Sequence, residues 1–276
     1  MTTPEFAVGR DLPQKVLRAI TRVSDDGRVS AEDMVATEYA LTVFVNQREM
    51  ATVVCTPEHM DELVIGFLAS EGVIRTVNQV KSLQISTFRG TARVETTTDV
   101  TFNQEFYNKR YIASCCGKSR QSFYFANDAH TARNVEDRTP LSVVSVLKLM
   151  QSLEDAGQLF QETGGVHVAS LSEGFGVLAT RSDIGRHNAL DKLYGYQMMR
   201  QSQRKGGQVV VFSGRLSSEV LLKVAKIGAG VVIAKSAPTA LALDIADELN
   251  ITTVGFVRQR AFNIYTHPWR IHDAVC

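Results

Sequence analysis

Two adjacent cysteines, Cys115 and Cys116, lie in a short polar segment with a glycine and two basic residues directly after them. Nearby positive charge, here Lys118 and Arg120, lowers the pKa of a thiol, and the thiolate is the reactive form of cysteine. Gly117 lets the backbone turn tightly, so a loop tip can present the pair to another molecule. These flanks favour a loop over a core strand and indicate redox or persulfide chemistry.

The other two cysteines, Cys55 and Cys276, are far from this pair in the sequence. Cys55 ends an apolar run, and a cysteine in such a run is usually a small core residue. Four cysteines in 276 residues do not make a disulfide framework, which favours a reducing compartment. A structural zinc needs four ligands, and no second Cys or His pair at finger-like spacing is near the cysteine pair, so we expect no bound metal.

The bulk composition is that of an ordinary globular protein, with 44% hydrophobic residues, 21% charged residues and a net charge of +1. It has no overall basic character, so we do not expect a nucleic acid partner. The first residues include acidic ones and contain no apolar core of a secretory signal. No run approaches the ~20 apolar residues of a membrane span, and we therefore expect a cytoplasmic protein without membrane contact.

The first half of the chain is predicted to be rich in β-strands. The segments expected to contribute strands are an irregular arm or strand in 1–30, a hairpin in 39–55, and two or three strands in 80–106. The hairpin is expected to turn at Asn46–Gln47. A helix should follow it, with Thr56 as its N-cap and Pro57 at the first helical position, and should end near Gly72.

The second half is predicted to alternate between strands and helices. Its expected strands are 166–171, 176–180, 208–212, 231–234 and 252–256. Its expected helices are 141–156, one that begins within the polar stretch 183–193, 217–227 and one through 241–249. The alternation from 208 to 256 implies right-handed crossovers and a largely parallel sheet. The fold class is therefore α/β (α+β overall), with a smaller β-rich domain in 1–135, ending in the cysteine loop, and an α/β domain in 136–276.

Three polar stretches of the second half have residue types that bind ligands. The candidate binding residues are Asp183, Arg186, His187, Ser213, Arg215, Phe256, Val257, Arg258, Gln259, Arg260 and Ala261. The first stretch opens a helix, whose free N–H groups suit an anion, and the other two follow strands. Arginine forks suit phosphates and stack on flat bases. Each stretch alone is also compatible with a solvated loop, but convergence at one sheet edge predicts a single pocket.

Several sequence blocks together resemble the formate dehydrogenase accessory sulfurtransferase family, FdhD. The blocks are GFLASEGVI (66–74), SCCGKS (114–119), TGGVH (163–167), DIGRHNALDKL (183–193), SGRLSSE (213–219), KSAPTALALDIA (235–246), TTVGF (252–256) and NIYTHPWR (263–270). They occur in the family's order from about residue 37 to residue 270. The combination of the DIGRHNALDKL and YTHP blocks in one chain is specific.

The resemblance implies a sulfur carrier that accepts sulfur from a cysteine desulfurase as a Cys persulfide. The carrier passes the sulfur to molybdenum bis-molybdopterin guanine dinucleotide before this cofactor enters formate dehydrogenase, whose activity requires it. GDP should mimic part of the cofactor, and the 256–261 loop should contact it. The resemblance also implies a cytidine-deaminase-like α/β domain without the zinc motif, and it leaves a homodimer open.

The family motif Ser-Cys-Gly-x-Cys-Gly aligns Cys116 with the persulfide-carrying cysteine. Ser119 then stands where the family has its second cysteine, and Cys115 is an additional neighbour. The catalytic residues implied are therefore Cys116 and Cys115. Two other functions stay open: a thiol redox protein that uses the adjacent cysteines, and a non-catalytic chaperone that only binds the cofactor.

Overall fold

The structure, a computed structural model, describes residues 4–97, 111–112, 132, 134–200 and 206–273. The predictions for Cys115, Cys116 and Cys276, and for strands after residue 97 in the segment 80–106, lie outside the described residues.

The first half contains one six-stranded sheet, one helix and a separate two-stranded ribbon. Its elements are β1 (Glu5–Val8), β2 (Lys15–Ser24), β3 (Gly27–Ala36), β4 (Tyr39–Val45), β5 (Arg48–Cys55), α1 (Met60–Ser70), β6 (Val80–Ser86), β7 (Thr91–Thr96) and β8 (Tyr111–Ile112). The sheet order is β1-β6-β7-β4-β5-β8, and β2 pairs only with β3 among the described strands. The prediction of a β-rich first half is confirmed.

The β4–β5 hairpin forms as predicted, with its turn at Asn46–Gln47. Both turn residues have positive φ, 47° and 67°, which is the geometry of a two-residue type I′ turn. Alternate residues of β4, namely Leu41, Val43 and Val45, are buried against α1. The apolar alternation of the strand therefore corresponds to one covered face of the sheet.

The β2–β3 ribbon is the part of the first half that differs from the prediction. Residues 15–36 form a regular antiparallel hairpin of two ten-residue strands rather than an irregular arm. Most of its side chains are exposed on both faces, among them Leu17, Val23 and Val29. A strand exposed on both faces has no need for alternating hydrophobicity, so the sequence pattern that signals a strand is absent.

The second half contains a six-stranded sheet between two helical layers. Its elements are β9 (Leu141–Ser142), α2 (Val143–Ala156), α3 (Gln158–Thr163), β10 (His167–Glu173), β11 (Gly176–Asp183), α4 (Arg186–Met199), β12 (Gln208–Phe212), α5 (Ser218–Ile227), β13 (Val231–Ala234), α6 (Ala240–Glu248), β14 (Thr252–Arg258), β15 (Ala261–Ile264) and β16 (Ile271–His272). The sheet order is β11-β10-β12-β13-β14-β15. Helix α2 packs on one face, and α4, α5 and α6 pack on the other.

This second sheet is mixed rather than largely parallel. Only the pairs β12–β13 and β13–β14 are parallel, and the other three pairs are antiparallel. The crossovers predicted over 208–256 are present, but β10–β11 and β14–β15 are hairpins, which pair antiparallel. The α/β class is confirmed, whereas the cytidine-deaminase-like layout and the domain boundary after residue 135 stay predictions.

Helices α1 and α4 join the two halves through a close crossing. Gly66 of α1 faces the Asp191 carbonyl of α4, and a Cβ on Gly66 would lie 1.8 Å from that oxygen. Gly195 of α4 faces the Glu62 carbonyl in the same way, again at 1.8 Å. Only glycine permits this approach of two helix backbones, so the pair fixes how the halves meet.

Among the described residues, no helix is both long enough and apolar enough to cross a membrane.

Candidate functional site

Asp183 is a buried link between the end of β5 and the start of α4. Its Oδ1 accepts hydrogen bonds from the Gly185 amide (2.8 Å) and from Asn188 Nδ2 (2.9 Å). Its Oδ2 lies 2.8 Å from Lys192 Nζ, and both side chains are fully buried. Protein groups satisfy this carboxylate, so Asp183 holds the start of α4 in place, and its contact with the cofactor stays a prediction.

Thr56 forms the other side of this link instead of capping α1. Its amide donates to Asp183 Oδ2 (3.1 Å), and its Oγ1 accepts from the Ile184 amide (3.1 Å). The predicted N-cap is therefore wrong: α1 begins four residues later at Met60, with His59 as the N-cap. The Thr56 hydroxyl bonds to a distant segment, so it is not available to the amides of its own helix.

A histidine cluster, defined here as His167, Arg186, His187 and Glu219, lies at the start of α4. Arg186 and His187 are the first two residues of that helix. His187 Nε2 lies 2.9 Å from Glu219 Oε2 in the first turn of α5, and both side chains are about one quarter exposed. The cluster thus brings together the starts of α4, α5 and β10.

His167 was not among the predicted site residues. It is the first residue of β10 and lies opposite Asp183 in the β10–β11 ladder. Burial lowers the pKa of its imidazole, and the positive charges of Arg186 and His187 lower that pKa further. Its position in the TGGVH block, at the beginning of a strand, was the available signal for it, and Glu219 had a similar signal in the SGRLSSE block.

The segments at the C-terminal ends of β12, β13 and β14 lie side by side at one end of the sheet. The Leu216 amide donates to the Ala237 carbonyl (3.1 Å), and the Phe256 amide donates to the Ser236 carbonyl (3.3 Å). Ser213 Oγ accepts from the Val168 amide (2.9 Å), which connects these loops to the histidine cluster. The structure therefore brings the predicted stretches at 183–191, 213–218 and 256–261 to one end of the sheet, where Arg215 is exposed.

The stretch 256–261 is the end of a β-hairpin, and its residues are not equivalent. Phe256 is 44% exposed and has a φ of 52°, an uncommon conformation for an aromatic residue. Val257 is buried in the core, and its predicted contact with the cofactor stays a prediction. Gln259, Arg260 and Ala261 are exposed at the turn into β15.

Arg258 is partly engaged by the protein itself. Its Nη1 donates to the Lys235 carbonyl (2.6 Å) and to the Val257 carbonyl (2.9 Å). The guanidinium has five N–H donors, so a contact with a phosphate would use the remaining ones. Arg258 therefore also orders the loop after β13.

The strand that leads toward the cysteine pair ends at the same end of the first sheet as Thr56. Backbone pairing sets Tyr111 opposite Thr52 and Ile112 opposite Val53 in parallel orientation. β5 continues from Val53 to Cys55 and then to Thr56, which contacts Asp183 and Ile184. The chain direction at Ile112 therefore points toward the junction of the two halves.

Cys55 is the one cysteine among the described residues, and it is fully buried. Burial raises the pKa of its thiol to about 12, and the charge of Asp183 adds to that shift. This thiol is therefore protonated at neutral pH, in agreement with the expected core role.

Among the described residues, no group of three or more His, Cys, Asp or Glu side chains is arranged to hold a metal ion.

Thr266 of the YTHP block is buried, where its Oγ1 donates to the Ile251 carbonyl (2.7 Å) and accepts from the Thr253 amide (2.9 Å). This block thus holds the start of β14, at the end of the sheet opposite to the histidine cluster.

Comparison with known proteins gives one consistent family. Residues 36–272 match the model of the FdhD/NarQ family. The chain is 53% identical over 260 residues to the sulfur carrier protein FdhD of Halalkalibacterium halodurans, covering 94% of this chain and 96% of that protein. It is 52% identical over 254 residues to the sulfur carrier protein FdhD of Geobacillus kaustophilus, with 92% and 96% covered.

The fold is also similar to that of a solved protein. The crystal structure of a protein described as a formate dehydrogenase accessory protein from Desulfotalea psychrophila matches with a TM-score of 0.78. The match covers 94% of this chain and 100% of that chain at 22% sequence identity, and at that identity it is evidence for the fold alone.

Proposed function

The chain belongs to the FdhD/NarQ family, and from this premise we propose that it is a sulfur carrier for formate dehydrogenase maturation. Its sulfur donor is a cysteine desulfurase, its sulfur-carrying residue is Cys116, and its sulfur acceptor is molybdenum bis-molybdopterin guanine dinucleotide. The cofactor is cargo in this proposal, and formate dehydrogenase receives it afterwards. The family and the relatives named above support the carrier role, and the residue assignments rest on the sequence motif.

Sulfur loading requires a thiolate and a persulfide donor. The Cys116 thiolate attacks the terminal sulfur of the desulfurase persulfide, a new S–S bond forms, and the desulfurase cysteine leaves as a thiolate. Delivery breaks the new S–S bond and releases Cys116 as a thiolate, while the molybdenum supplies the two electrons that reduce the sulfur to sulfide. Lys118 and Arg120 would keep Cys116 ionised.

The observation that supports this proposal most directly is the direction of β8 toward the junction. Ile112 is four positions before Cys116, and a fully extended chain spans at most about 14 Å over four residues. Thr56 at this end of the sheet bonds Ile184, two residues before Arg186. We propose that a persulfide carried on Cys116 is delivered at the histidine cluster, on the side toward which β8 runs.

The histidine cluster and its neighbouring loops have the charge that phosphates need. Arg186 has no partner for its buried Nε among the described residues, and the start of α4 adds the positive end of a helix dipole. Arg215 and Arg258 add positive charge at the same end of the sheet, beyond Ser213. We propose that these residues at the end of the sheet hold the phosphates of the guanine dinucleotide, with Phe256 and Arg260 next to the base.

Mass spectrometry of the loaded protein tests the carrier role. The full-length chain is incubated with its cysteine desulfurase and L-cysteine, and each cysteine-containing peptide is examined for the mass of one additional sulfur atom. We expect the sulfur on the 115–116 peptide of the wild type, its loss in Cys116→Ala, and its retention in Cys55→Ala. The buried, protonated Cys55 thiol is the matched control.

The outcomes separate the alternatives. A chaperone that only binds the cofactor would carry no sulfur, and both variants would still support formate dehydrogenase maturation. A thiol redox protein would form a Cys115–Cys116 disulfide without any need for the desulfurase. Loading of Cys115 but not Cys116 would contradict the assignment of the carrier residue.

A further inference from the structure

The β2–β3 ribbon is held at its base and is exposed toward its tip. At the base, Lys15 forms an ion pair with Glu162 of α3, and a Cβ on Gly165 would lie 3.2 Å from Ala36 Cβ. Every residue from 21 to 30 is exposed. A two-stranded hairpin in water is at best marginally stable by itself, and a stable sheet usually has three or more strands. The ribbon therefore has the features of a sheet that gains strands from outside its own chain.

The pairing within the ribbon determines which backbone groups of β3 lie at its outer edge. The Thr37 amide donates to the Gln14 carbonyl (2.7 Å), so these two residues are a hydrogen-bonded pair. Hydrogen-bonded and non-hydrogen-bonded pairs alternate along an antiparallel ladder, and the register of this ladder has no shift. The N–H and C=O groups of Arg28, Ser30 and Glu32 therefore point away from β2. They form an open strand edge, to which another strand can pair.

The open edge of β3 is short, because the chain itself closes both of its ends. Toward the base, the Met34 amide donates to Asp33 Oδ1 (3.0 Å) and is not available to another strand. Toward the tip, Asp25 and Asp26 form the turn of the hairpin. The stretch of β3 that can accept a strand is therefore 28–32.

The charged side chains of this stretch are placed symmetrically about Ser30. Arg28 and Glu32 are exposed, lie on the same face of the ribbon, and precede and follow Ser30 by two positions. Across the ribbon they lie opposite Val23 and Ala19, so neither faces an opposite charge within the ribbon. An antiparallel strand of the same sequence, centred on Ser30, would place a glutamate opposite Arg28 and an arginine opposite Glu32. Opposite charges in directly facing positions stabilise a strand pair.

We propose that a second copy of the chain occupies this edge, with the two β3 strands antiparallel about a two-fold axis at Ser30. The two ribbons then form one four-stranded sheet in the order β2-β3-β3-β2, which the symmetry closes. A register shifted by two residues would place Arg28 opposite Met34 or Ser30 and would form no ion pair. Charges on an edge strand ordinarily oppose pairing, but this symmetry makes them two attractive pairs.

The other edge of the ribbon has no such complementarity. Between residues 17 and 23, the positions of β2 that face outward are uncharged, namely Leu17, Ala19, Thr21 and Val23. An edge without charges does not specify one register over another. The edge of β2 is therefore the matched control for the edge of β3.

Sedimentation equilibrium of the full-length chain, without donor or cofactor, tests the proposal. Because the ladder is short, we expect a dimer with a dissociation constant on the order of 10 μM. Ser30→Pro removes the central outward amide and no bond to β2, and proline is tolerated on an edge strand. We expect it to raise the dissociation constant about tenfold or more. Thr21→Pro makes the same change on β2, directly opposite Ser30, and should leave the constant unchanged.

Charge reversal tests the register without relying on a loss of association alone. Arg28→Glu and Glu32→Arg each place like charges opposite one another at both ends of the pairing. Each variant alone should dimerise about tenfold or more weakly, with a smaller difference at high salt. An equimolar mixture of the two should form a heterodimer, because one chain then has two negative charges at this edge and the other has two positive ones. The double variant Arg28→Glu/Glu32→Arg should dimerise like the wild type.

Three results would overturn the proposal. The first is a wild-type chain that is monomeric at about 200 μM. The second is an unchanged dissociation constant in Ser30→Pro, since another surface would then hold the dimer. The third is a mixture of the two charge variants that does not associate, whatever the proline variants show. None of these results depends on sulfur transfer, so the proposed function is tested separately by the loading of Cys116.

Discussion

Replacement of Lys192 by methionine should destabilise the protein more than any change of a surface lysine. Lys192 Nζ lies 2.8 Å from Asp183 Oδ2 and donates to the carbonyls of Thr56 (3.1 Å) and Ser182 (3.0 Å). Methionine fills a similar volume without the charge. The variant therefore leaves a buried carboxylate and two buried carbonyls without this donor.

The magnitude follows from that environment. Removal of one partner from a buried ion pair costs about 3–5 kcal/mol, because the remaining charge stays buried. Asp183 keeps the hydrogen bonds from Thr56, Gly185 and Asn188, which places the expected value near the lower end of this range. A natural domain has only about 5–15 kcal/mol of unfolding free energy, so the loss is a large fraction of it.

Urea denaturation followed by circular dichroism measures the effect. Lys81→Met is the matched control, because Lys81 pairs with Glu95 at the surface and should contribute less than about 1 kcal/mol. The double variant Asp183→Asn/Lys192→Met should recover part of the loss, since it removes the unpaired charge. A loss below about 1 kcal/mol for Lys192→Met would refute the view that this pair holds the two halves together.

Four other changes have defined outcomes. Gly195→Ala should lower the unfolding free energy by about 3 kcal/mol or more in urea denaturation, because the new Cβ would overlap the Glu62 carbonyl. The pKa of His167 is lower in the folded protein than its unfolded value of about 6.5. As the pH falls below about 6.5, the imidazole is therefore protonated in the unfolded chain before it is protonated in the folded one. Stability is then lost as the pH falls from about 7.5 to 5.5, and His167→Gln should lose less over that range in the same assay. Cys55 should resist iodoacetamide in the native protein and react in urea, as peptide mass spectrometry would reveal, because burial raises its pKa to about 12. Arg258→Ala should weaken GDP binding in calorimetry about ten- to a hundredfold, with a larger effect at low ionic strength, and unchanged affinity would remove the phosphate role of that residue.

Local sequence signals determined a large part of this fold. The turn at Asn46–Gln47 was predictable because a two-residue turn depends on residues adjacent in the chain. The strands and helices from 208 to 256 were predictable because each strand is a continuous apolar run and each helix has an apolar face. The family blocks likewise depend only on the order of residues.

Only the tertiary structure decided which polar residues share a site. Thr56 has the sequence of a helix cap, yet its hydrogen bonds go to Asp183 and Ile184, more than 120 positions away. Asp183 has the sequence of a binding residue, yet Lys192 and three hydrogen-bond donors enclose it. No local sequence pattern encodes such partners. Whether a polar side chain bonds within its own segment or to a distant one is decided only when the two halves pack.

The same reason explains the position of the histidine cluster. His167 and Glu219 are 52 positions apart, and both lie near the start of α4 because β10 pairs with β11, which leads into α4, and because α5 packs beside α4. The sequence determined which chemistry was available, and long-range packing determined where it was assembled, because these contacts form between surfaces that no single segment contains.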